Sequence, residues 1–193
     1  MNIEIRSENC AVISGYVNVA ERESRAIRRA GAKPFREIVK SGTFKKALDK
    51  GGTVKLMLNH QKILCDTSSG LELREDNVGL YAEATVTDKE TVSAAKNGKL
   101  TGWSFGFRCI ADEWSEDGEH RTLSDIQLDE VSILTLTPAY IATSVEVRDD
   151  ETMQEIRYSK DITVEDKSKV IKEEKFDNST EKRTIEILKL RGV

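Results

Sequence analysis

Three side chains of this chain could do chemistry together: Ser104, His60 and Glu130. Ser104 sits in Gly102-Trp103-Ser104-Phe105-Gly106, which reads literally as G-x-S-x-G, the pattern around a hydrolase nucleophile. A serine hydroxyl is barely ionised near neutral pH, so it needs a base to attack a carbonyl. The two histidines, His60 and His120, are the candidates. His120 follows the polar turn Glu116-Asp117-Gly118-Glu119 and is expected to be exposed. His60 closes an apolar strand, where its ring can be partly desolvated and still reachable, although a purely structural histidine fits there too. A third group must hold the imidazole tautomer and stabilise the imidazolium. Glu130 suits this role because it interrupts an apolar strand on the side of Leu128, Ser132 and Leu134. Buried there, its carboxylate needs a partner, and a histidine would be one. Alternation equally allows Glu130 to face solvent while Val131 and Ile133 face the core.

The surroundings of Ser104 decide what kind of hydrolase is conceivable. In an α/β-hydrolase the serine sits on a tight turn from strand to helix. Here Phe105, Phe107, Cys109 and Ile110 continue a strand-like run, so that reading is rejected. A serine on a strand remains, with Gly102 and Gly106 letting a substrate backbone approach. Its plain alternative is a core strand with one small polar residue. A cysteine hydrolase using Cys65 or Cys109 is a weaker option, because Cys109 points away from the face of Ser104.

The elements that must position these residues are short strands. Residues 3 to 19 read as strand, with Gly15 marking a bulge or a close backbone approach. Residues 20 to 33 are basic and exposed, and Pro34 to Val39 is a short extended segment. A short helix begins at Thr43, capped by Thr43 or Ser41 and stopped by Gly51-Gly52. Val54, Leu56 and Leu58 form a strand ending at Asn59-His60. Gly70 to Arg74 and Gly79 to Val86 form a hairpin. Asp88 caps a helix over 89–97, with Gly98 at its left-handed stop. Strands then run over 100–110, from Arg121, over 127–136 and over 143–148. Beyond Arg148 the chain is dense in charges of both signs and reads as a tail, partly helical or disordered. The expectation is a mainly β domain over 1–148 with short helices, a small and mostly antiparallel β-barrel, followed by the charged tail 149–193.

Composition narrows the function classes. A net charge of −4 gives no overall field favouring nucleic acid or a membrane surface, and no apolar run approaches the length of a membrane span. Two histidines and no paired cysteines leave no His/Cys metal site, and no metal or cofactor is expected. Three separated cysteines fit free thiols in a reducing compartment.

Taken in order, the parts resemble a known family. Gly15-Tyr16, Lys40-Ser41-Gly42-Thr43-Phe44, Leu58-Asn59-His60, Gly79-Leu80, Gly102-Trp103-Ser104-Phe105-Gly106-Phe107, Leu128-Asp129-Glu130-Val131-Ser132-Ile133 and Thr137-Pro138-Ala139-Tyr140 follow the pattern of the HK97-type prohead (maturation) serine proteases of tailed phages. These resemble the herpesvirus assemblins in fold. The resemblance spans about residues 11 to 147 and does not reach the tail.

The resemblance implies a serine endopeptidase with Ser104 as nucleophile, His60 as general base and Glu130 as the orienting acid. Herpesvirus relatives carry a second histidine where Glu130 stands, and a carboxylate can do the same work. It also implies an oxyanion donor in the loop 137–140, where the Ala139 N–H can donate and Pro138 cannot. The implied task is capsid maturation in the host cytoplasm, inside the phage procapsid. The enzyme would cut the scaffolding protein or the scaffold-like arm of the major capsid protein, and itself by autoproteolysis. A homodimer is suggested by the same relatives. The tail would target the enzyme to the prohead or be removed by self-cleavage. The competing expectation is a catalytically silent module that binds capsid or scaffold during assembly.

Overall fold

The computed structural model describes residues 1–28, 31, 33–135, 147–149, 152–159 and 163–166. The described strands form two sheets. The first contains β1 (Asn2–Ser7), β2 (Cys10–Val19), β6 (Leu71–Glu75), β7 (Gly79–Val86) and β12 (Thr163–Asp166), in the order β12-β1-β2-β7-β6. The second contains β4 (Lys55–Leu58), β5 (Lys62–Asp66), β8 (Gly102–Trp114), β9 (His120–Leu134), β10 (Val147–Asp149) and β11 (Thr152–Ser159). Its order is β10-β11-β8-β9-β4-β5, and β3 (Arg36–Val39) pairs in parallel with the first part of β9. The sheets are not closed into the barrel that the sequence suggests. The mainly β class with two short helices among the described residues, α1 (Thr43–Asp49) and α2 (Lys89–Lys96), is as expected.

Alternation explains the core. Ile3, Ile5, Ile13, Leu80, Ala82 and Ala84 from the first sheet meet Leu56, Leu58, Val131, Ile133, Trp103 and Phe105 from the second, all essentially buried. Phe44 of α1 packs edge-on against Phe105, with ring centroids 5.4 Å apart. Two glycines allow this packing. At Gly15 (φ 145°) a Cβ would lie 2.9 Å from Met1 Cα, so this is a close backbone approach, with a bulge just after it between Tyr16 and Asn18. At Gly79 (φ 153°) a Cβ would sit 2.1 Å from Asn18 O.

The helix ends differ in their chemistry. Asp88 caps α2 by accepting from Thr91 N at 2.9 Å, and Gly98 follows at φ 64°. At α1 neither Thr43 nor Ser41 caps. Gly42 holds the N-cap in the left-handed conformation without a side-chain cap, and Glu75 does the work from β6 instead. Its carboxylate accepts from Gly42 N at 2.8 Å and Lys45 N at 2.6 Å. That cap comes from residue 75 through tertiary structure, so local sequence could not announce it.

Strands continue beyond Arg148, where the sequence suggests a tail. β11 pairs antiparallel with β8, and β12 pairs in parallel with β1. A buried ion cluster anchors β11. Arg157 donates to both Glu37 oxygens at 2.7 and 2.8 Å and to Glu155 at 2.7 Å. Arg121 donates to Glu155 at 2.6 and 2.8 Å, to Glu37 at 3.1 Å and to Asp112 at 2.6 Å. Glu37, Arg121, Glu155 and Arg157 are all buried. Burial pushes the Glu155 carboxyl up, but hydrogen bonds from Arg121 and the charges of Arg157 and Arg121 outweigh it and hold it down to about 2. Glu155 and Arg157, two charges of the stretch that reads as a solvated tail, therefore lie inside the molecule.

Candidate active site

The site is built on the β8–β9 hairpin and the end of β4. Ser104 is the register partner of Ser132, and Gly106 is the partner of Glu130. Directly opposed residues share a sheet face, and so do residues two apart along a strand. Ser104, Gly106, Glu130 and Ser132 therefore occupy one face of the second sheet. Trp103, Phe105, Val131 and Ile133 occupy the other and fill the core. Of the two alternatives for Glu130, the buried one on the face of Ser132 is observed and the solvent-facing one is not, since Glu130 is only 5% exposed.

β4 brings His60 to that face. β4 runs parallel to β9, with Lys55 beside Glu130 and Leu58 beside Ile133. The chain then reverses at Asn59 and His60, both in the left-handed region at φ 52° and 60°. Few non-glycine residues adopt this backbone, and each such residue costs on the order of 1–3 kcal/mol. The Asn59 amide offsets that cost: its Nδ2 donates to Thr135 Oγ1 at 2.8 Å and its Oδ1 accepts from Thr135 N at 2.9 Å. Asn59 N also donates to Ile133 O at 2.9 Å. The turn is thereby locked to the end of β9, and the imidazole is aimed back along it. His60 Nδ1 is hydrogen-bonded to Glu130 Oε1, with the two side chains 16% and 7% exposed.

Two of the three predicted residues are thus in direct contact, and Ser104 shares their face. Ser104 Oγ makes no hydrogen bond, and the residue exposes no surface. A peptide carbonyl cannot reach Oγ in this arrangement, so acyl transfer requires whatever covers Ser104 to move. His120 is half exposed, with its Nδ1 2.8 Å from Glu23 Oε1. It lies ten residues before Glu130 on β9, about 30 Å along an extended strand. Burial pushes the Cys65 and Cys109 thiols up, which makes both poor nucleophiles. Ala139 and the whole loop 137–140 lie outside the described residues. Among the described residues, no group of three or more His, Cys, Asp or Glu side chains could hold a metal.

Asn59 has no assigned role in the sequence reading, though its signal is present. Asparagine tolerates the left-handed backbone better than other non-glycine residues, and here it stands where a strand must reverse.

This is a mainly β protein in which a histidine–carboxylate pair shares a sheet face with a buried serine, the groups needed for proton transfer at a hydroxyl. Comparison with known proteins narrows this. Residues 1–157 match the family described as caudovirus prohead serine protease, and the chain belongs to that family. It is also 33% identical over 69 residues to the prohead protease of Escherichia phage T5, a stretch covering 34% of this chain and 33% of that relative. The chain thus aligns with about a third of the length of that relative. No solved structure matches it.

Proposed function

We infer that the chain is a serine endopeptidase of phage capsid maturation. The observation that carries this is the His60–Glu130 hydrogen bond on the face of Ser104, in a chain of the prohead serine protease family. In this reading Ser104 Oγ attacks a peptide carbonyl while His60 Nε2 takes its proton. Glu130, bound at Nδ1, fixes the tautomer in which Nε2 carries no proton and can accept one, and stabilises the imidazolium. His60 then protonates the leaving amine, and water hydrolyses the acyl-enzyme by the same proton path in reverse. The substrates are the scaffolding protein or the scaffold-like arm of the major capsid protein, within the procapsid, and the chain itself. An N–H of the loop 137–140, with Ala139 as the candidate, supplies the oxyanion donor.

Co-expression with the capsid or scaffolding protein tests this. The wild-type chain is expected to cleave the partner, while Ser104→Ala and His60→Ala leave it intact. Cleavage that persists in Ser104→Ala refutes the assignment. One observation favours the second reading, a silent assembly module: Ser104 is fully buried and makes no hydrogen bond to His60. Under that reading, neither variant changes the partner's processing.

A further inference from the structure

Ser132 shares with Ser104 a property that few groups in a folded protein have. Its hydroxyl is completely buried and makes no hydrogen bond. Most buried polar side-chain atoms find a partner, because leaving one unmade is costly. Here two orphaned hydroxyls are register partners across the β8–β9 ladder. Side chains directly opposed in an antiparallel pair have Cβ atoms about 4.5–5.5 Å apart, so rotation about one Cα–Cβ bond can bring the two oxygens to hydrogen-bond distance. Ser132 also lies two residues after Glu130 on the same face, next to the carboxylate that holds His60. A hydroxyl placed only for packing could be alanine at no loss.

We propose that Ser132 is a further catalytic residue, whose O–H donates to Ser104 Oγ during attack. This rests on the reading of Ser104 as the nucleophile. The serine oxygen gains negative character as its own proton leaves for His60 Nε2, and a neutral donor on that oxygen favours the developing charge. It also fixes the lone pair that is left to attack. Ser132 keeps its proton throughout. With diisopropyl fluorophosphate as the probe, the Ser104 Oγ–P bond forms, the P–F bond breaks, the Ser104 proton passes to His60 and fluoride leaves.

The test is the rate of phosphorylation of Ser104 by that reagent against pH, followed by peptide mass mapping. The wild-type chain, Ser104→Ala, Ser132→Ala, Ser132→Thr and Ser132→Val are compared. A hydrogen bond to a charged group corresponds to about a 10- to 100-fold rate effect, which is the loss expected in Ser132→Ala. Its thermal midpoint should hold or rise, because an unsatisfied hydroxyl is removed. The pH at which the rate falls off should not move, because His60 and Glu130 are untouched. Ser132→Thr, which keeps a hydroxyl, should label faster than the isosteric Ser132→Val. Wild-type rates in Ser132→Ala, or equal rates in the Thr and Val variants, overturn the proposal. If the branched variants do not fold, the alanine rate and its midpoint decide alone. Labelling that is absent from the wild type, or that survives Ser104→Ala, overturns the nucleophile assignment itself, a distinct result.

Discussion

At the scale of single residues, the proposed role of Ser104 depends on how His60 is held. Glu130 binds Nδ1, so Glu130→Gln keeps the shape but lets the amide favour the wrong tautomer. Cleavage is then expected to fall by about 10^4-fold, as for the equivalent change in a Ser-His-Asp triad, with thermal stability changed far less. Asn59 acts one step further back, as a positioning residue. Asn59→Ala loses the Thr135 clamp and places a Cβ residue without local hydrogen bonding in the left-handed region, a cost of roughly 2 kcal/mol. Asn59→Gly relieves the backbone and removes only the clamp. If the clamp aims His60, Asn59→Gly should keep most of its stability in a denaturant melt and lose at least about 10-fold in kcat, with little change in KM. A loss of stability without loss of kcat would make the residue merely structural. The three candidate residues stand out in the sequence because Ser104 and Glu130 are polar groups inside largely apolar strands and His60, one of two histidines, closes another. What the sequence left open was whether Glu130 is buried or faces solvent, because both faces of β9 are buried there and alternation normally assigns one face to solvent.

At the scale of elements, the hairpin β6–β7 and the Asp88 cap are where local signals put them, while the strand of Ser104 runs on to Trp114 and the two strands expected from Arg121 and over 127–136 are one, β9. Two features could not be read locally. The α1 cap is delivered by Glu75, and β11 is held by ions from β3 and β9. Both depend on residues far apart in sequence. The ion cluster makes a pH prediction. Glu155 has its folded pKa depressed to about 2, so its stabilising contribution is present above the ordinary carboxylate pKa and is lost as pH falls toward 2. Thermal melts should therefore show stability dropping between about pH 4.5 and 2 in the wild type. In Glu155→Gln that acid-dependent drop should be smaller, starting from a stability already lower by about 3–5 kcal/mol, because Arg121 and Arg157 lose a buried partner. An unchanged acid slope in the variant would show that other carboxylates govern it. Gly79→Ala should cost about 3 kcal/mol in the same melts, since its Cβ would overlap Asn18 O.

At the scale of the whole molecule, the sequence supported a β domain but not its architecture. Alternation reports that strands have an inner face and is silent on whether their edges meet, so a closed barrel and two packed sheets look alike. The charge-rich stretch after Arg148 misled for a physical reason: charged composition normally marks a solvated segment, and only pairing with distant charges lets Glu155 and Arg157 enter the interior. A chain ending at Arg148 should therefore fail to fold cooperatively, while one ending after Asp166 should retain a cooperative melt. Circular dichroism of the two truncations checks this, and equal melts would mean that β11 adds nothing to the fold. No helix among the described residues is long and apolar enough to cross a membrane.

The central claim is that Ser104 is the nucleophile and that His60, oriented by Glu130, activates it. The most direct measurement is intact-mass and peptide mapping of the purified chain after exposure to a fluorophosphonate. A single adduct on Ser104 is expected in the wild type and none in His60→Ala under the same conditions. An adduct on a different residue, or equal labelling of Ser104 in His60→Ala, would contradict it.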